Sequence, residues 1–148
     1  MKTITICDRE FKIECNALTY VKYKSIFKTG IFEDIQKIQT FIIIQSLNQE
    51  KIMKENPNIS KEEFEEKLGQ LMIKGNIDEF IVSVTRMAWI LIYSANDNVE
   101  EYDKWLKSIR KFSINDKWIV EVTKFVVDCF CWWRIIKRAR KNKRRQYY

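Results

Sequence analysis

The 148-residue chain contains no histidine, and its only glycines, at 30, 69 and 75, are widely separated. Histidine is the side chain that enzymes use most often for general acid–base catalysis. The spread of the glycines excludes a phosphate-binding loop and a dinucleotide turn, and no nucleophile-elbow motif occurs. Carboxylates are plentiful, but the runs at residues 62–66 and 100–103 are typical of solvated helix starts. The sequence therefore predicts a protein that is not an enzyme and uses no cofactor.

The chain is also poor in features that would indicate a metal site or a secreted disulfide framework. Its four cysteines show no C-x-x-C spacing: Cys7, Cys15, Cys129 and Cys131. Without histidine, this spacing predicts no metal site. The apolar start of the chain is short and is followed at once by charged residues 8–10, unlike a secretory leader. We expect the protein to reside in the cytoplasm, with its cysteines reduced.

Positive charge is concentrated at one end. The last fifteen residues contain no Asp or Glu and eight basic residues: Arg134, Lys137, Arg138, Arg140, Lys141, Lys143, Arg144 and Arg145. Removing these eight from the 27 basic residues leaves 19 against 20 acidic ones, so the remainder carries −1 while the whole chain carries +7. The division predicts a single domain over residues 1–133 and a basic tail over residues 134–148.

The first residues alternate in polarity as a β-hairpin does. Large apolar side chains occur at alternate positions of two short segments: Ile4 and Ile6, then Phe11 and Ile13. We predict a turn at residues 7–10 that pairs Ile6 with Phe11 and Ile4 with Ile13, with all four on one face. Because a two-stranded ribbon is marginal alone, this face should pack on helices.

Capping residues and helix breakers divide the rest of the body into helices. Asn16 is expected to begin the first helix and Gly30 to end it in the left-handed conformation. A second helix runs from Phe32 to the region of residues 54–58, where Pro57 stops it.

A third helix is predicted from the capping box of Ser60 and Glu63 to Gly75, and Asn76 is expected to cap a fourth. A short helix near residues 102–109 and a final long helix follow. The predicted fold is mainly α, with an N-terminal β-hairpin packed on a bundle of about five helices.

The final helix is apolar on most of its sides. A 4-3-4-3-4 spacing links Trp118, Val122, Phe125, Cys129, Trp132 and Ile136. We expect Trp118, Val122 and Phe125 in the core, and a strip of Ile119, Val126 and Trp133 left for a neighbouring subunit of a homo-oligomer. Four ionisable residues within this helix predict that it does not span a membrane: Glu121, Lys124, Asp128 and Arg134.

Adaptable apolar side chains favour a groove for an amphipathic helical partner. The residues of this kind are Met72, Met87, Trp89, Tyr93, Trp132 and Trp133. The alternative for Met72, Met87 and Trp89 is an ordinary place in the core, and Trp132 and Trp133 fit core and binding surface equally well. The predicted protein-binding residues are Trp89, Tyr93, Ile119, Val126, Trp132 and Trp133.

Several linked phrases resemble the tail assembly chaperones of siphophages, prophages and phage-tail-like particles of Gram-positive bacteria. Two of them are Thr85-Arg86-Met87-Ala88-Trp89 and Tyr102-Asp103-Lys104-Trp105-Leu106. The others lie at residues 2–6, 11–13, 15–20, 30–35, 92–96 and 116–122. The specificity of this resemblance rests on the order and number of the phrases rather than on any one of them. The resemblance fades after Cys131.

This resemblance implies a non-virion protein that binds the long, helical tape measure protein while the tail tube polymerises around it. The partners it implies are the tape measure protein and, as a further candidate, the tail tube protein, in the cytoplasm of a bacterial host. Many such genes also give a longer product by programmed frameshifting near the end of the short form. The family supplies no residue motif for client contact.

Two alternatives use the basic tail. Its eight cations could neutralise phosphates of a nucleic acid, with Tyr147 and Tyr148 stacking on bases. The same cations, with Trp132 and Trp133, could instead bind an anionic membrane surface. The near-neutral body shows no basic face that would extend either interaction.

Overall fold

The computed structural model describes residues 1–129, which form a two-stranded hairpin and six helices. In chain order these are β1 (Lys2–Ile6), β2 (Arg9–Ile13), α1 (Ala17–Phe27), α2 (Ile31–Glu55), α3 (Lys61–Lys74), α4 (Ile77–Ala95), α5 (Tyr102–Ser108) and α6 (Lys117–Cys129). The hairpin packs against the helices. The predicted fold class, mainly α with an N-terminal hairpin on a helical bundle, is confirmed.

Helix α4 forms the centre of the fold. It packs on α1, α2, α3, α5, α6 and β2. The reason lies in its sequence, since apolar side chains occur on almost all of its sides and ten of its nineteen residues are buried. A helix that is apolar around its circumference needs neighbours on every side. The other elements therefore surround α4, and the surfaces they leave between them determine where a partner can bind.

The hairpin has the predicted face but a different register. Ile4 lies opposite Phe11 and Ile6 opposite Arg9, so the predicted pairs are wrong by two residues. The turn consists of Cys7 and Asp8 alone, with φ of 47° and 64°. A two-residue turn with both φ values positive matches the twist of the strands, which favours it over the four-residue turn we predicted. Because side chains alternate with period two, a shift of two keeps the face.

The start of α1 is as predicted and its end is not. The Asn16 side chain accepts from the backbone N–H of Leu18 at 3.0 Å, and the Thr19 hydroxyl accepts from the Asn16 N–H at 3.0 Å. Lys28, with φ of 58°, takes the left-handed position that was predicted for Gly30. Gly30 has φ of −73° and instead begins α2. Helix α1 ends early because Lys28 turns into the left-handed conformation, although its N–H still makes the last helical hydrogen bond, to the Lys24 carbonyl.

A side-chain cap is present at the start of α3 and absent at the start of α4. Ser60 caps α3 as predicted, accepting from the Glu63 N–H at 3.3 Å. Asn76 precedes α4, but its φ is 60° and its side chain makes no capping hydrogen bond. Asn76 therefore holds the predicted N-cap position, and its carbonyl accepts from the Phe80 N–H at 3.4 Å, but the predicted side-chain cap does not form.

Helix α6 is covered by β1 and α4 on the face that we predicted to be free. Ile119 is 2% exposed and Val126 is fully buried, so they do not form a strip for a neighbouring subunit. Trp118 and Val122 are buried as predicted, and Phe125 packs partly buried against the same cluster. The sequence shows that α6 is apolar on several sides, whereas the hairpin decides which of them is covered.

The end of α6 contacts the link between β2 and α1 through two cysteines. The Cys129 and Cys15 thiols make a hydrogen bond with each other, and neither is part of a disulfide. Burial, followed by the neighbouring Cys15, raises the pKa of Cys129 to about 11. The Cys129 side chain is therefore a neutral thiol at pH 7 and part of the packing.

Within residues 1–129, no helix combines the length and the hydropathy that are needed to cross a membrane.

Candidate functional site: an aromatic cleft along helix α4

An apolar cleft opens where the end of α1, the second half of α4 and the start of α5 meet. Its volume is about 430 Å³. The lining residues are Ile26, Phe27, Trp89, Tyr93, Val99, Glu101, Tyr102 and Asp103. Trp89 and Tyr93 are two of the predicted protein-binding residues, and the structure brings them together here. We call this surface the aromatic cleft.

Periodicity explains how α4 forms one wall of the cleft. Val82, Thr85, Trp89 and Tyr93 follow 3-4-4 spacing and therefore lie on one side of the helix. Tyr102 forms the opposite wall. The Trp89 Nε1–H donates to the Glu100 carbonyl at 2.9 Å, and this hydrogen bond holds the segment that leads into Tyr102 and α5. A hydrogen bond of 2.9 Å between the hydroxyls of Thr85 and Tyr102 holds the phenol ring against α4.

The aromatic rings of the cleft pack against one another, with some pairs edge to face and one pair stacked. The Phe27 ring centroid lies 4.9 Å from that of Tyr102 and 5.9 Å from that of Trp89, both edge-on. Trp89 stacks on Tyr93 at 5.1 Å. Trp89 is only 4% exposed, so it forms the floor of the cleft and also belongs to the core, which was the alternative position for it. Tyr93 is half-buried and lies nearer the opening.

A second apolar cleft lies on the other side of Tyr102. It has a volume of about 300 Å³ and is lined by Ile81, Val82, Thr85, Tyr102, Leu106, Ile109 and Phe112. Val82 and Phe112 are more than 40% exposed. From Val82 to Tyr93, α4 rises about 16 Å, which is three helical turns. The two clefts together therefore offer an apolar track of a length that suits a short helix.

The opening of the aromatic cleft is acidic. Glu101 and Asp103 line it, and both are exposed, as is the preceding Glu100. We predicted these carboxylates as a solvated helix start, and their position at a cleft was not expected. Arg86 pairs with the buried Asp34 at 3.6 Å and lies over the Phe27 ring at 5.3 Å, so its charge is directed into the fold. The rim is thus left with negative charge.

A buried carboxylate supports the floor from behind. Asp34 on α2 accepts hydrogen bonds from the Tyr23 hydroxyl and, at 3.3 Å, from the Ser83 hydroxyl, and it pairs with Arg86. Lys37 completes the network at 3.9 Å. Burial, and then the hydrogen bond to Asp34, raises the pKa of Tyr23, which stays a neutral donor. Since Tyr23 belongs to α1 and Ser83 to α4, the network joins three helices beneath the aromatic rings.

The phenol of Tyr102 is also neutral at physiological pH. Burial raises its pKa, although the hydrogen bond with Thr85 and the charge of Arg86 oppose the increase. The cleft therefore presents ring faces and edges, aliphatic carbons and two carboxylates at its rim. Such a surface binds apolar side chains and tolerates cations beside them.

The other predicted binding residues lie elsewhere. Ile119 and Val126 are in the core beneath β1 and α4, and Met87 is fully buried. Met72 is half-buried on α3. Trp132, Trp133 and the basic residues of 134–148 lie outside the described residues. Of the six predicted binding residues, the structure thus places Trp89 and Tyr93 at the cleft.

Sequence reasoning missed Phe27, Tyr102, Glu101 and Asp103 as cleft residues. One signal was available, because α5 has seven residues and two of them are the aromatic Tyr102 and Trp105. An exposed helix of that length has no reason to carry two large rings unless they pack on another element. The path of the loop before α5, which places Tyr102 over α4, is not encoded in any periodicity.

Comparisons of the chain with protein-family models, with curated proteins and with solved structures find no match.

Proposed function

We propose that the protein is a non-catalytic chaperone that holds a helical segment of a client in the aromatic cleft. The client we propose is the tape measure protein of a phage tail or phage-tail-like particle, with the tail tube protein as a further candidate. The observation that carries the proposal is the apolar track along α4, with Trp89 in its floor, Tyr93 near its opening and exposed apolar side chains at its edge. The resemblance of the sequence phrases to tail assembly chaperones supports the choice of client.

The dimensions of the track suit an amphipathic helix. A helix that binds a groove presents anchors at positions i, i+3 or i+4, and i+7, which span about two turns. The track is about 16 Å long, and Tyr102 divides it into two depressions that would receive successive anchors. Long apolar helices aggregate when they are exposed, so covering their anchors is what a tail chaperone must do until the tube polymerises.

Charge at the rim favours one kind of client segment. Lys or Arg residues beside the apolar anchors would approach Glu101 and Asp103. Exposed pairs of this kind contribute about 0–1 kcal/mol each, so they orient the client rather than hold it. Most of the affinity would come from apolar burial, which salt does not weaken. We therefore expect client binding that persists at high ionic strength.

Nucleic-acid binding is the second candidate function, and the concentration of charge in residues 134–148 favours it. Eight cations there would neutralise several phosphates and give an affinity that falls steeply with salt. The acidic rim would repel a phosphate backbone from the aromatic cleft. The two candidates therefore use different parts of the chain and respond differently to salt.

A charge placed in the cleft tests the chaperone proposal. Ile26→Glu introduces a carboxylate at a lining position that is 39% exposed, so the fold should tolerate it. We expect affinity for tape measure segments to fall at least about tenfold, because an anchor would meet a desolvated charge. Titration of synthetic helical segments by calorimetry measures the change.

Val21→Glu is the matched control, since Val21 lies on the same helix and is 68% exposed outside the cleft. It should bind as the unchanged protein does. Equal affinities for the two variants would exclude the aromatic cleft as the client site.

A further inference from the structure

The mouth of the aromatic cleft carries a concentrated negative charge. Residues 97–103 contain no Lys or Arg and four carboxylates, all exposed: Asp97, Glu100, Glu101 and Asp103. Basic residues do occur on the flanking elements, at Lys24 and Lys28 around the end of α1 and at Lys104 and Lys107 on α5. Among the described residues, however, no Lys or Arg lines the cleft. The mouth therefore attracts an occupant that brings positive charge.

Helix α3 carries the other dense acidic run, and it is the natural comparison. Residues 61–67 hold four carboxylates and two lysines, which gives a charge of −2. Residues 96–104 hold four carboxylates and one lysine, which gives −3. Only the second run borders the aromatic cleft, through Glu101 and Asp103. A basic segment with apolar anchors is thus favoured at the cleft, where both parts of it find a partner.

The chain itself contains a segment of this chemistry. Directly after α6 the sequence reads Phe130-Cys131-Trp132-Trp133, and the eight basic residues of 134–145 follow. The cleft offers ring faces, aliphatic carbons and carboxylates, which suit indole rings and the cations beside them. Residues 134–148 contain no Asp or Glu, so no part of the segment would be repelled by the acidic mouth.

The end of α6 lies within reach of the cleft. The Cys129 thiol contacts the Cys15 thiol in the link before α1. The next residue, Asn16, donates from Nδ2 to the Ser94 carbonyl at 3.2 Å, and Ser94 is the neighbour of Tyr93 in the cleft. Four extended residues span about 13 Å, more than the separation of about 8–10 Å between the axes of packed helices. The two tryptophans, three and four residues after α6, can therefore reach the cleft.

We propose that residues 130–145 of the same chain fold back over the aromatic cleft, with Trp132 and Trp133 at the cleft and the cations against residues 97–103. Because the segment is tethered, its effective concentration is high, and contacts too weak for separate molecules are sufficient. The contact does not depend on the identity of a client. Its consequence, that a client must displace the segment, rests on the proposed function.

Carbodiimide cross-linking of the full chain tests the contact. This reagent joins a lysine ammonium to a carboxylate that touches it, and the lysines of the segment are Lys137, Lys141 and Lys143. We expect products within one chain that link these lysines to residues 97–103, identified by mass spectrometry of proteolytic fragments. The carboxylates of residues 62–66 are the internal control and should give little product.

Two full-length variants separate the apolar part of the contact from its charge. Trp132→Ser with Trp133→Ser keeps every cation, yet the links should fall at least about tenfold, because exposed ion pairs alone are weak. Ile26→Arg places a cation at the cleft and should have the same effect. Val21→Arg adds the same charge on the same helix outside the cleft lining and should leave the links unchanged.

Circular dichroism checks that each variant is folded, and Ile26→Arg carries the comparison if the tryptophan variant is not. The proposal is overturned if the segment links mainly to residues 62–66 or to a second copy of the chain. It is also overturned if the yield of links to residues 97–103 is the same in Ile26→Arg as in Val21→Arg.

Client binding gives a separate readout. The variant Trp132→Ser with Trp133→Ser should bind tape measure segments about tenfold more tightly than the unchanged chain, because no internal segment then competes for the cleft. An unchanged affinity would overturn the competition. Cross-links to residues 97–103 in a protein that binds no tape measure segment would support the contact and contradict the proposed function.

Discussion

Val126→Glu should unfold the protein. Val126 is fully buried on α6, which packs on α4 and β1, and a carboxylate there would be removed from water among apolar side chains. Burial of an unpaired charge belongs to the mechanisms that cost more than about 4 kcal/mol, a large part of the stability of a domain of this size. We expect little cooperative unfolding transition to remain in urea or on heating, as followed by far-ultraviolet circular dichroism.

Val120→Glu is the matched control for this prediction. It makes the same change on the same helix at a position that is 60% exposed, and its effect should stay within about 0.5 kcal/mol. A place for Val126 on a subunit interface, as the spacing of the final helix predicts, would instead give a folded monomer. A stable, folded Val126→Glu protein would return α6 to that role and contradict the packing described above.

Asp34→Ala should be the second most damaging change. It removes the acceptor of the Tyr23 and Ser83 hydroxyls and leaves Arg86 without its anionic partner. Removing one member of a buried pair costs about 3–5 kcal/mol, and the 28% exposure of the Arg86 side chain places the expected loss at the lower end. Urea unfolding measures the difference in the free energy of unfolding.

The neighbouring Glu33→Ala gives the contrast for Asp34. Glu33 is exposed and accepts one hydrogen bond, from Thr29 at 3.0 Å, so its loss should cost less than about 1 kcal/mol. In a double-mutant cycle, Asp34 and Arg86 should show a coupling energy above about 1 kcal/mol. Equal losses for Asp34→Ala and Glu33→Ala would mean that the buried network contributes no more than an exposed carboxylate.

Alternating polarity predicted the hairpin face well and its pairing poorly. The face of Ile4, Ile6, Phe11 and Ile13 depends only on the period of two, which a register shift of two residues preserves. The pairing depends on the turn, and nothing in Cys7 and Asp8 is as clear a signal as Asn-Gly for a two-residue turn. The alternation of polar and apolar residues therefore determines which hairpin side chains reach the core. The backbone conformation of the two turn residues determines which residues pair across the strands.

The candidate site was only partly predictable, for a related reason. Spacing along one helix placed Trp89 and Tyr93 on the same side of α4. Tyr102 joins them only because the Glu100 carbonyl and the Thr85 hydroxyl hold α5 in place, contacts between segments that a linear pattern does not encode. Asp34 is similar. A carboxylate in the first turn of a helix is ordinarily explained by the helix dipole, and its burial follows from how α1 and α4 pack.

Co-purification at two ionic strengths tests the chaperone account most directly. The full chain, tagged, is co-expressed with the tape measure protein and washed first at low salt and then at 1 M, where the Debye length is about 3 Å. We predict that the tape measure protein remains bound in both washes and is lost from the Ile26→Glu variant but not from Val21→Glu. Recovery of nucleic acid as the only partner, released at 1 M salt and lost when residues 134–148 are removed, would contradict the account.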